Sequence, residues 1–333
     1  MTQVENSAAV EAVDAKKAPL PRWATTLRAL RHRNFQLFFS GQLISLVGTW
    51  MQSVAQAWLV YRLTGSALLL GAVGFSSQIP VLLIAPIGGT TADRSDRRRL
   101  VIATQVASMT LATILAWLTI SRRVEVWHVF VLAAMLGVVN AFDIPARQSF
   151  LIDMVGREDL MNAIALNSSM FNAARMIGPA AAGILIPRIG EGGCFAANAI
   201  SYIAVIGGLL LMKVHCPLRS NTSSPLADVI EGFRWANSVK VIRALLLLIG
   251  LISLVGMPYT VLMPVFADKV LHGGARGLGI LMGATGVGAL FGALTLASRT
   301  GVKGLGRLAA WSCGGFGIGL ILFSFSRLSL IHI

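Results

Sequence analysis

Charged residues are scarce in this chain, and their scarcity excludes an ordinary water-soluble fold. Only 13% of the 333 residues are charged and 55% are hydrophobic, whereas a soluble domain has about 25% charged residues. The three cysteines show no paired spacing, so neither a disulfide framework nor a metal site is indicated. The chain also lacks zinc-ligand spacings, a phosphate-binding loop and a nucleophile elbow, which argues against an enzyme and against a bound cofactor. The composition indicates a membrane protein.

Acidic residues are few, 14 against 28 Lys and Arg, and the formal net charge is +14. A nucleic-acid-binding protein would gather such a basic excess on one face of a folded domain. Here the basic residues lie in short connections between apolar runs, an arrangement that sets membrane orientation and favours contact with anionic lipids. We therefore expect a lipid bilayer as the partner and no nucleic acid.

Nine apolar runs are bounded by charged residues, and a spanning helix needs about 20 mostly apolar residues. The predicted fold is an all-α membrane protein with a tail and surface helix at 1–33, a six-helix bundle at 34–212, a central loop at 213–243 and a partial second bundle at 244–333. Residues 22–33 and 226–236 have the mixed pattern of helices that lie on a membrane surface. The predicted spans are 35–61, 63–92, 100–121, 126–142, 160–187, 192–212, 244–267, 277–298 and 308–326.

The turn 88–100, GGTTADRSDRRRL, gives the predicted orientation because connections rich in Lys and Arg stay in the cytosol. The N-terminal tail and the connections predicted to lie on the same side of the membrane as this turn contain 20 Lys and Arg residues. The other side of the membrane contains 7. One basic residue, Arg175, lies inside a span. We predict a bacterial inner-membrane protein whose N-terminus is cytosolic.

Polar side chains recur along one face of the first predicted span. They step by three and four residues, the helical period, and polar groups inside a membrane usually face the bundle interior or a water-filled cavity. Interhelical hydrogen bonding alone is the alternative. Five in register favour the wall of a substrate cavity, formed by Gln42, Ser45, Thr49, Gln52 and Gln56 and extended by Asn140, Ser168, Asn172 and Arg175.

Arg175 is the single charge that the sequence places deep in a predicted span, roughly 20 Å along the helix from Leu160. An arginine at such a depth costs about 2.5 to 3.5 kcal/mol, so it should face a partner or water. Ser168 and Asn172 precede it at helical spacing and give one polar face. An anionic or catechol-rich substrate would suit this position. An arginine bonded to backbone carbonyls, or to an acid in helices missing from this chain, would suit it equally.

Several stretches resemble the major facilitator superfamily of transporters. In the turn, Gly89, three residues, Asp93 and a basic cluster match that family's loop between its second and third helices, although Asp96 stands where the family usually has glycine. The run 178–183, GPAAAG, resembles the glycine-proline motif of the family's exporters. HRNFQLF at 32–38, AFDIPARQSFL at 141–151 and NAIALNSSMFNAARMIGP at 162–179 resemble the branch of enterobactin-type and macrolide exporters, the transmembrane secretion effector type.

The resemblance implies a monomer that exports a small amphipathic or anionic substrate, siderophore-like or drug-like, by alternating access with a coupling proton. It also implies a gate latch and a helix-packing seal. The basic cluster could instead only fix topology, and packing alone could explain the seal. Asp143, at the end of the fourth predicted span, is expected to pair with Arg94 or Arg97 and is the local candidate for the proton. The latch comprises Gly89, Asp93, Arg94, Arg97, Arg98 and Asp143, and the seal comprises Gly178, Pro179 and Gly183.

Members of that superfamily have twelve spans, and nine are predicted here. We therefore expect a C-terminally truncated chain. The alternative function is that of a truncated, non-transporting integral membrane protein.

Overall fold

The computed structural model describes residues 27–214, 225–256, 258–297 and 305–325, and within these ranges the secondary structure is helical with no strand. The predicted tail at 1–21 lies outside the described residues. A 3-10 turn, Arg28–Arg31, precedes five long helices: α1 (Arg33–Thr64), α2 (Ala67–Arg94), α3 (Arg97–Ile120), α4 (Val126–Val155) and α5 (Leu160–Leu211). The later helices are α6 (Pro225–Ser238), α7 (Lys240–Leu251), α8 (Pro258–Val265), α9 (Gly274–Ala297) and α10 (Leu305–Phe325).

Helix α5 consists of two membrane helices joined at Gly190. Its 52 residues would be about 78 Å long if straight, more than twice the roughly 30 Å hydrocarbon core. Gly190 has φ 71° and ψ 174°, a conformation open to a residue without a Cβ. The chain reverses direction there, since both ends of α5 lie near the start of α1. Asn162, at one end, accepts a hydrogen bond from the amide of Ala29, and the carbonyl oxygen of Lys213, just past the other end, accepts one from Asn34. We call residues 160–189 α5a and residues 191–211 α5b.

The count of membrane crossings agrees with the sequence. Eight described segments are long and apolar enough to span a membrane, and one of them is the whole of α5. Dividing α5 at Gly190 gives nine crossings within the described residues. The seventh crossing is the segment Lys240–Val270, in which α7 and α8 are each followed by a π-helical turn, Ile252–Gly256 and Phe266–Val270. We call α1 to α5b the N-terminal bundle.

Helix α4 is longer than the predicted fourth span, which ended at residue 142. The prediction ended the span at a charge, but Asp143 lies inside α4 with only 3% of its surface exposed. At 1.5 Å per residue it lies about 18 Å from the end of α4 at Val155, and Arg147 lies about 12 Å from that end. The expectation that Arg175 is the single charge deep in a span is therefore wrong.

The N-terminal 3-10 turn is docked onto the start of α5a. Of the predicted surface helix at 22–33, residues 22–26 lie outside the described part, and the remainder forms this turn and the first residue of α1. His32 Nε2 lies 2.8 Å from Asp159 Oδ2 and Arg28 Nε lies 3.3 Å from Oδ1. The hydrogen bond with His32, assisted by the charge of Arg28, lowers the pKa of the Asp159 carboxyl. The second predicted surface helix, 226–236, lies within α6.

Two clusters of buried apolar residues lie at opposite ends of the described bundle. The end that carries the turn between α2 and α3 is called the basic-turn end. Its cluster contains Phe35, Phe38 and Phe150, all fully buried, and draws only on the N-terminal bundle and the residues next to it. The cluster at the opposite end also includes residues from the later helices, Met263, Ala267 and Leu278. The two parts of the chain are thus joined mainly at the end away from the basic turn.

Helices α1 and α5b approach each other closely, and we predict that this contact depends on Gly41. A Cβ at Gly41 would lie 2.7 Å from the carbonyl oxygen of Ala204 and 2.8 Å from Val205 Cα, both backbone atoms that cannot rotate away. Gly41→Ala should therefore destabilise the chain by about 1 to 3 kcal/mol through overpacking. The measurement is the thermal unfolding midpoint of the purified protein in detergent.

Gly74→Ala is the matched control, since nothing lies within 4 Å of a Cβ at Gly74 in α2. Alanine is the better helix former by up to about 1 kcal/mol, so this variant should unfold at the same temperature or higher. Equal midpoints for the two variants would refute the close approach of α1 to α5b.

Candidate functional site

Asp143 lies at the centre of a polar network buried between α3 and α4. Its Oδ1 accepts hydrogen bonds from Thr104 Oγ1 at 2.7 Å and from Gln105 Nε2 at 2.9 Å. Its Oδ2 lies 3.0 Å from a guanidinium nitrogen of Arg147, one helical turn further along α4. A carboxylate buried in a low-dielectric interior must be paired and hydrogen bonded to remain ionised, and both oxygens of Asp143 meet that requirement.

The basic turn contacts Asp153 and not, as predicted, Asp143. A guanidinium nitrogen of Arg97 lies 2.8 Å from Asp153 Oδ2, and another lies 3.7 Å from Asp93 Oδ1. Arg97 and Asp153 are both buried, whereas the side chain of Asp93 is 48% exposed. Because α4 continues to Val155, its last turn and not residue 143 reaches the basic turn.

The remaining residues of the predicted latch have separate positions. Arg98 donates to the carbonyl oxygens of Leu209 at 2.8 Å and Leu210 at 2.9 Å, at the end of α5b. Arg94 is exposed at the end of α2, and Gly89 lies on α2 facing open space. The basic turn is therefore tied to α4 and α5b, both within the N-terminal bundle.

The polar face of α1 lies against α5b over most of its length. Gln42, Ser45 and Gln52 are each at most 8% exposed. Gln52 Oε1 accepts a hydrogen bond from Asn198 Nδ2 at 2.7 Å, and the hydroxyl of Thr49 lies 3.4 Å from that of Tyr202. Interhelical hydrogen bonding, the alternative raised for this stripe, accounts for Thr49 and Gln52. Gln56 is half-buried further along α1.

Two buried side-chain oxygens near this network have no hydrogen-bond donor among the described residues, Gln42 Oε1 and Gln105 Oε1. Buried polar atoms usually find a partner. Since Gln105 donates its amide group to Asp143, its free oxygen leaves acceptor capacity beside the carboxylate. Both oxygens of Asp143 therefore have donors, whereas Gln105 Oε1 beside them has none among the described residues.

Arg175 has no acidic partner in the described part of the chain. Its guanidinium carbon lies 5.6 Å from the ring centroid of Trp50 on α1, a cation-π contact. Trp50 meets Phe171 edge-on, with ring centroids 5.5 Å apart. Arg175 lies about 22 Å from the start of α5a and Asp143 about 18 Å from the end of α4, so the two have similar depths, contrary to expectation. Even so, Asp143 pairs with Arg147.

Three further predicted cavity residues lie at partly open positions. Asn172, half-buried, donates to the carbonyl oxygen of Ser168 at 2.9 Å, and Ser168 itself is exposed. Asn140 is half-buried on α4, three residues before Asp143. Asn140 lies on a different helix from Asn172 and Ser168, and no described hydrogen bond joins it to them.

The glycine-proline run packs α5a between two neighbours. A Cβ at Gly178 would lie 2.8 Å from the carbonyl oxygen of Val47 on α1. A Cβ at Gly183 would lie 3.0 Å from Gly279 Cα, and a Cβ at Gly279 would lie 2.8 Å from the carbonyl oxygen of Pro179. The run therefore allows both α1 and α9 to approach α5a closely.

Polar contacts close the end of the bundle opposite the basic turn. The Tyr61 hydroxyl donates to Asp268 Oδ2 at 3.3 Å, which joins α1 to the π-helical turn after α8. Beside it, Arg62 donates to both carboxylate oxygens of Glu191 at 2.7 and 3.2 Å, which joins α1 to α5b. The first of these contacts connects the N-terminal bundle with the later helices.

Several of these partners were not identified from the sequence. Arg147 had a signal, since an acid and a base four residues apart face each other on a helix, and that spacing predicts that α4 continues through both. Asn198, Tyr202 and Asp268 had no such signal, because their partners lie far away along the chain.

Known proteins resemble this chain over most of its length. Residues 24–327 match the family described as transmembrane secretion effector. The staphyloferrin A transporter of Staphylococcus aureus is 28% identical over 302 residues, covering 89% of this chain and 75% of that protein. Macrolide efflux protein A of Streptococcus pyogenes is 23% identical over 248 residues, 72% of this chain and 60% of that one.

The multidrug efflux pump Tap of Mycolicibacterium fortuitum is 29% identical over 218 residues, covering 63% of this chain and 53% of the pump. The chain thus matches between about half and three quarters of the length of these relatives. Together with the helical architecture, the family match leads to one conclusion. The chain belongs to the transmembrane secretion effector family of major facilitator superfamily transporters.

Proposed function

We propose that this chain is a proton-coupled exporter of a small anionic or amphipathic compound, siderophore-like or drug-like, which acts as a monomer by alternating access. The observation that carries the proposal is Arg175, a cation about 22 Å inside the bundle that has an aromatic face beside it and no acidic partner in the described residues. Relatives named for a siderophore, a macrolide and multiple drugs support the substrate class.

The substrate site proposed here is the space beside Arg175. An anionic group of the substrate pairs with the guanidinium, and this pairing offsets the about 2.5 to 3.5 kcal/mol that a mid-membrane arginine costs. Trp50 and Phe171 offer an aromatic surface for an apolar part of the substrate. The partly open polar side chains that complete the site are Gln56, Asn140, Ser168 and Asn172.

Asp143 is the proposed proton site. While ionised, it holds Thr104 and Gln105 of α3 and Arg147 of α4 around one carboxylate. A protonated acid would become a donor itself and would lose the charge that attracts Arg147. Uptake of one proton therefore weakens the attachment of α3 to α4 at mid-membrane, which is a change that a conformational cycle can use.

Alternating access is supported by the asymmetry between the two ends. At the end opposite the basic turn, the bundle meets the later helices through Tyr61 and Asp268 and through Gly183 and Gly279. With the N-terminus and the basic turn in the cytosol, this arrangement corresponds to a conformation closed on the far side of the membrane. The six-helix part, residues 34–212, then moves against residues 244–333 about the connection at 213–243.

Arg175→Ala should abolish most of the export activity. Loss of a hydrogen bond to a charged group, worth about 1.5 to 3 kcal/mol, lowers efflux about tenfold or more. The measurement is efflux of staphyloferrin A and of a macrolide from cells that express the 333-residue chain. Arg188→Ala, exposed near the other end of α5a, is the matched control and should retain efflux. Unchanged efflux in Arg175→Ala would exclude this site, and no efflux by the unaltered chain would exclude transport itself.

Asp143→Asn should uncouple transport from the proton gradient. Asparagine keeps the size of the side chain but does not take up a proton, so gradient-driven efflux should fall to background while exchange of labelled for unlabelled substrate across liposomes continues. Asp96→Asn is the control, because Asp96 caps α3 through the amide of Arg99 and asparagine caps a helix equally well. Efflux that still follows the gradient in Asp143→Asn would refute the proton site.

The two acids around Arg97 should respond differently to substitution. Asp153→Asn leaves Arg97 buried without its closest partner and should destabilise the chain by about 3 to 5 kcal/mol. Asp93→Asn, at a half-exposed position, should change stability by less than about 1 kcal/mol but slow the exchange between conformations. Thermal unfolding and hydrogen exchange measure the two effects. Normal exchange in Asp93→Asn would remove the latch role from this residue.

A further inference from the structure

A groove of about 390 Å³ lies along the contact between α5a and α9. Two close contacts delimit it. One is between Gly183 and Gly279, and at the other a Cβ on Gly286 would lie 2.6 Å from Met176 Cα. Between them the helices are further apart, since a Cβ on Gly283 would lie 3.8 Å from the Ala180 Cβ. The groove is the space left between these two contacts.

The groove opens on the side of α5a away from the proposed substrate site. Ile184 follows Arg175 by nine residues, which places the two on roughly opposite faces of α5a at 3.6 residues per turn. The apolar walls are exposed, Ile184 at 54%, Ile280 at 49% and Val287 at 39%. Both helices belong to segments long and apolar enough to span the membrane. In a membrane, such a wall is in contact with acyl chains.

A positive charge lies at one end of the groove. Arg276, the third residue of α9, lines the groove and is exposed, with no acidic partner in the described residues. The first turn of α9 contains no acidic residue, and the N-terminal end of a helix attracts anions. Since Gly283 lies roughly 10 Å further along the helix, an anionic head group at Arg276 would place the first part of its acyl chain in the groove.

We propose that this groove binds one acyl chain of an anionic phospholipid from the leaflet opposite the basic turn, with the lipid phosphate held by Arg276. The lipid would fill the seam between α5a and α9, one of the contacts that join the N-terminal bundle to the later helices. Its binding does not depend on the transported substrate, so it can be tested on the purified chain alone.

Native mass spectrometry of the delipidated 333-residue chain tests the charge. Phosphatidylglycerol is the anionic probe and phosphatidylethanolamine is the zwitterionic one. Arg276→Gln should lower phosphatidylglycerol adducts about tenfold, the factor expected when one charge-assisted hydrogen bond is lost, and should leave phosphatidylethanolamine adducts unchanged. Arg188→Gln, an exposed arginine of α5a that does not line the groove, should change neither. An equal effect of the two substitutions would overturn recognition by Arg276.

A second variant tests the groove itself. Gly283→Leu places a side chain in the gap and should reduce adducts of both lipids. Gly283→Ala should fold normally, because its Cβ makes only ordinary contacts at 3.8 Å or more, and should reduce adducts less. Should the leucine variant fail to fold, the alanine variant alone decides. Unchanged lipid adducts in every folded Gly283 variant would overturn the proposal.

Discussion

The N-terminal bundle is organised around a buried carboxylate that must remain paired. Burying an ionised group without partners costs far more free energy than a folded protein can spare, so Asp143 requires Thr104, Gln105 and Arg147 at hydrogen-bonding distance. That requirement fixes how α3 lies against α4 and allows α4 to continue past Asp143 and Arg147 to Val155. The longer α4 in turn brings Asp153 to the basic turn, where it pairs with Arg97.

Two kinds of polar group therefore have different roles within one membrane bundle. Those on α1 and α5b, such as Gln52 and Asn198, bond to each other and fix the packing of two helices. Arg175, at a depth similar to that of Asp143, has an aromatic neighbour and no acidic partner among the described residues. A fully paired charge suits a proton switch, and a charge without an acidic partner suits a substrate. The proposed coupling of export to protons rests on this difference between Asp143 and Arg175.

The sequence predicted the crossings better than it predicted the interactions between them. Length and apolarity are local properties, so the nine spans and the reversal near residue 190 could be identified directly. The end of α4 was missed because a charge was taken to end a span, although the four-residue spacing of Asp143 and Arg147 was a local signal. The contacts of Asp143 with α3 are visible only in three dimensions. The partners of the α1 stripe were missed for the same reason: helical period shows that five residues share a face but not which helix that face meets.

The measurement that most directly tests this account is proton movement during transport. Proteoliposomes that contain the purified chain and an enclosed pH-sensitive dye would receive whichever probe, staphyloferrin A or a macrolide, the cells export. The account predicts that the probe moves protons across the membrane in the direction opposite to its own, in a fixed ratio to the amount transported. Transport of the probe with no change in the dye signal would contradict it and would leave Asp143 as a structural anchor only.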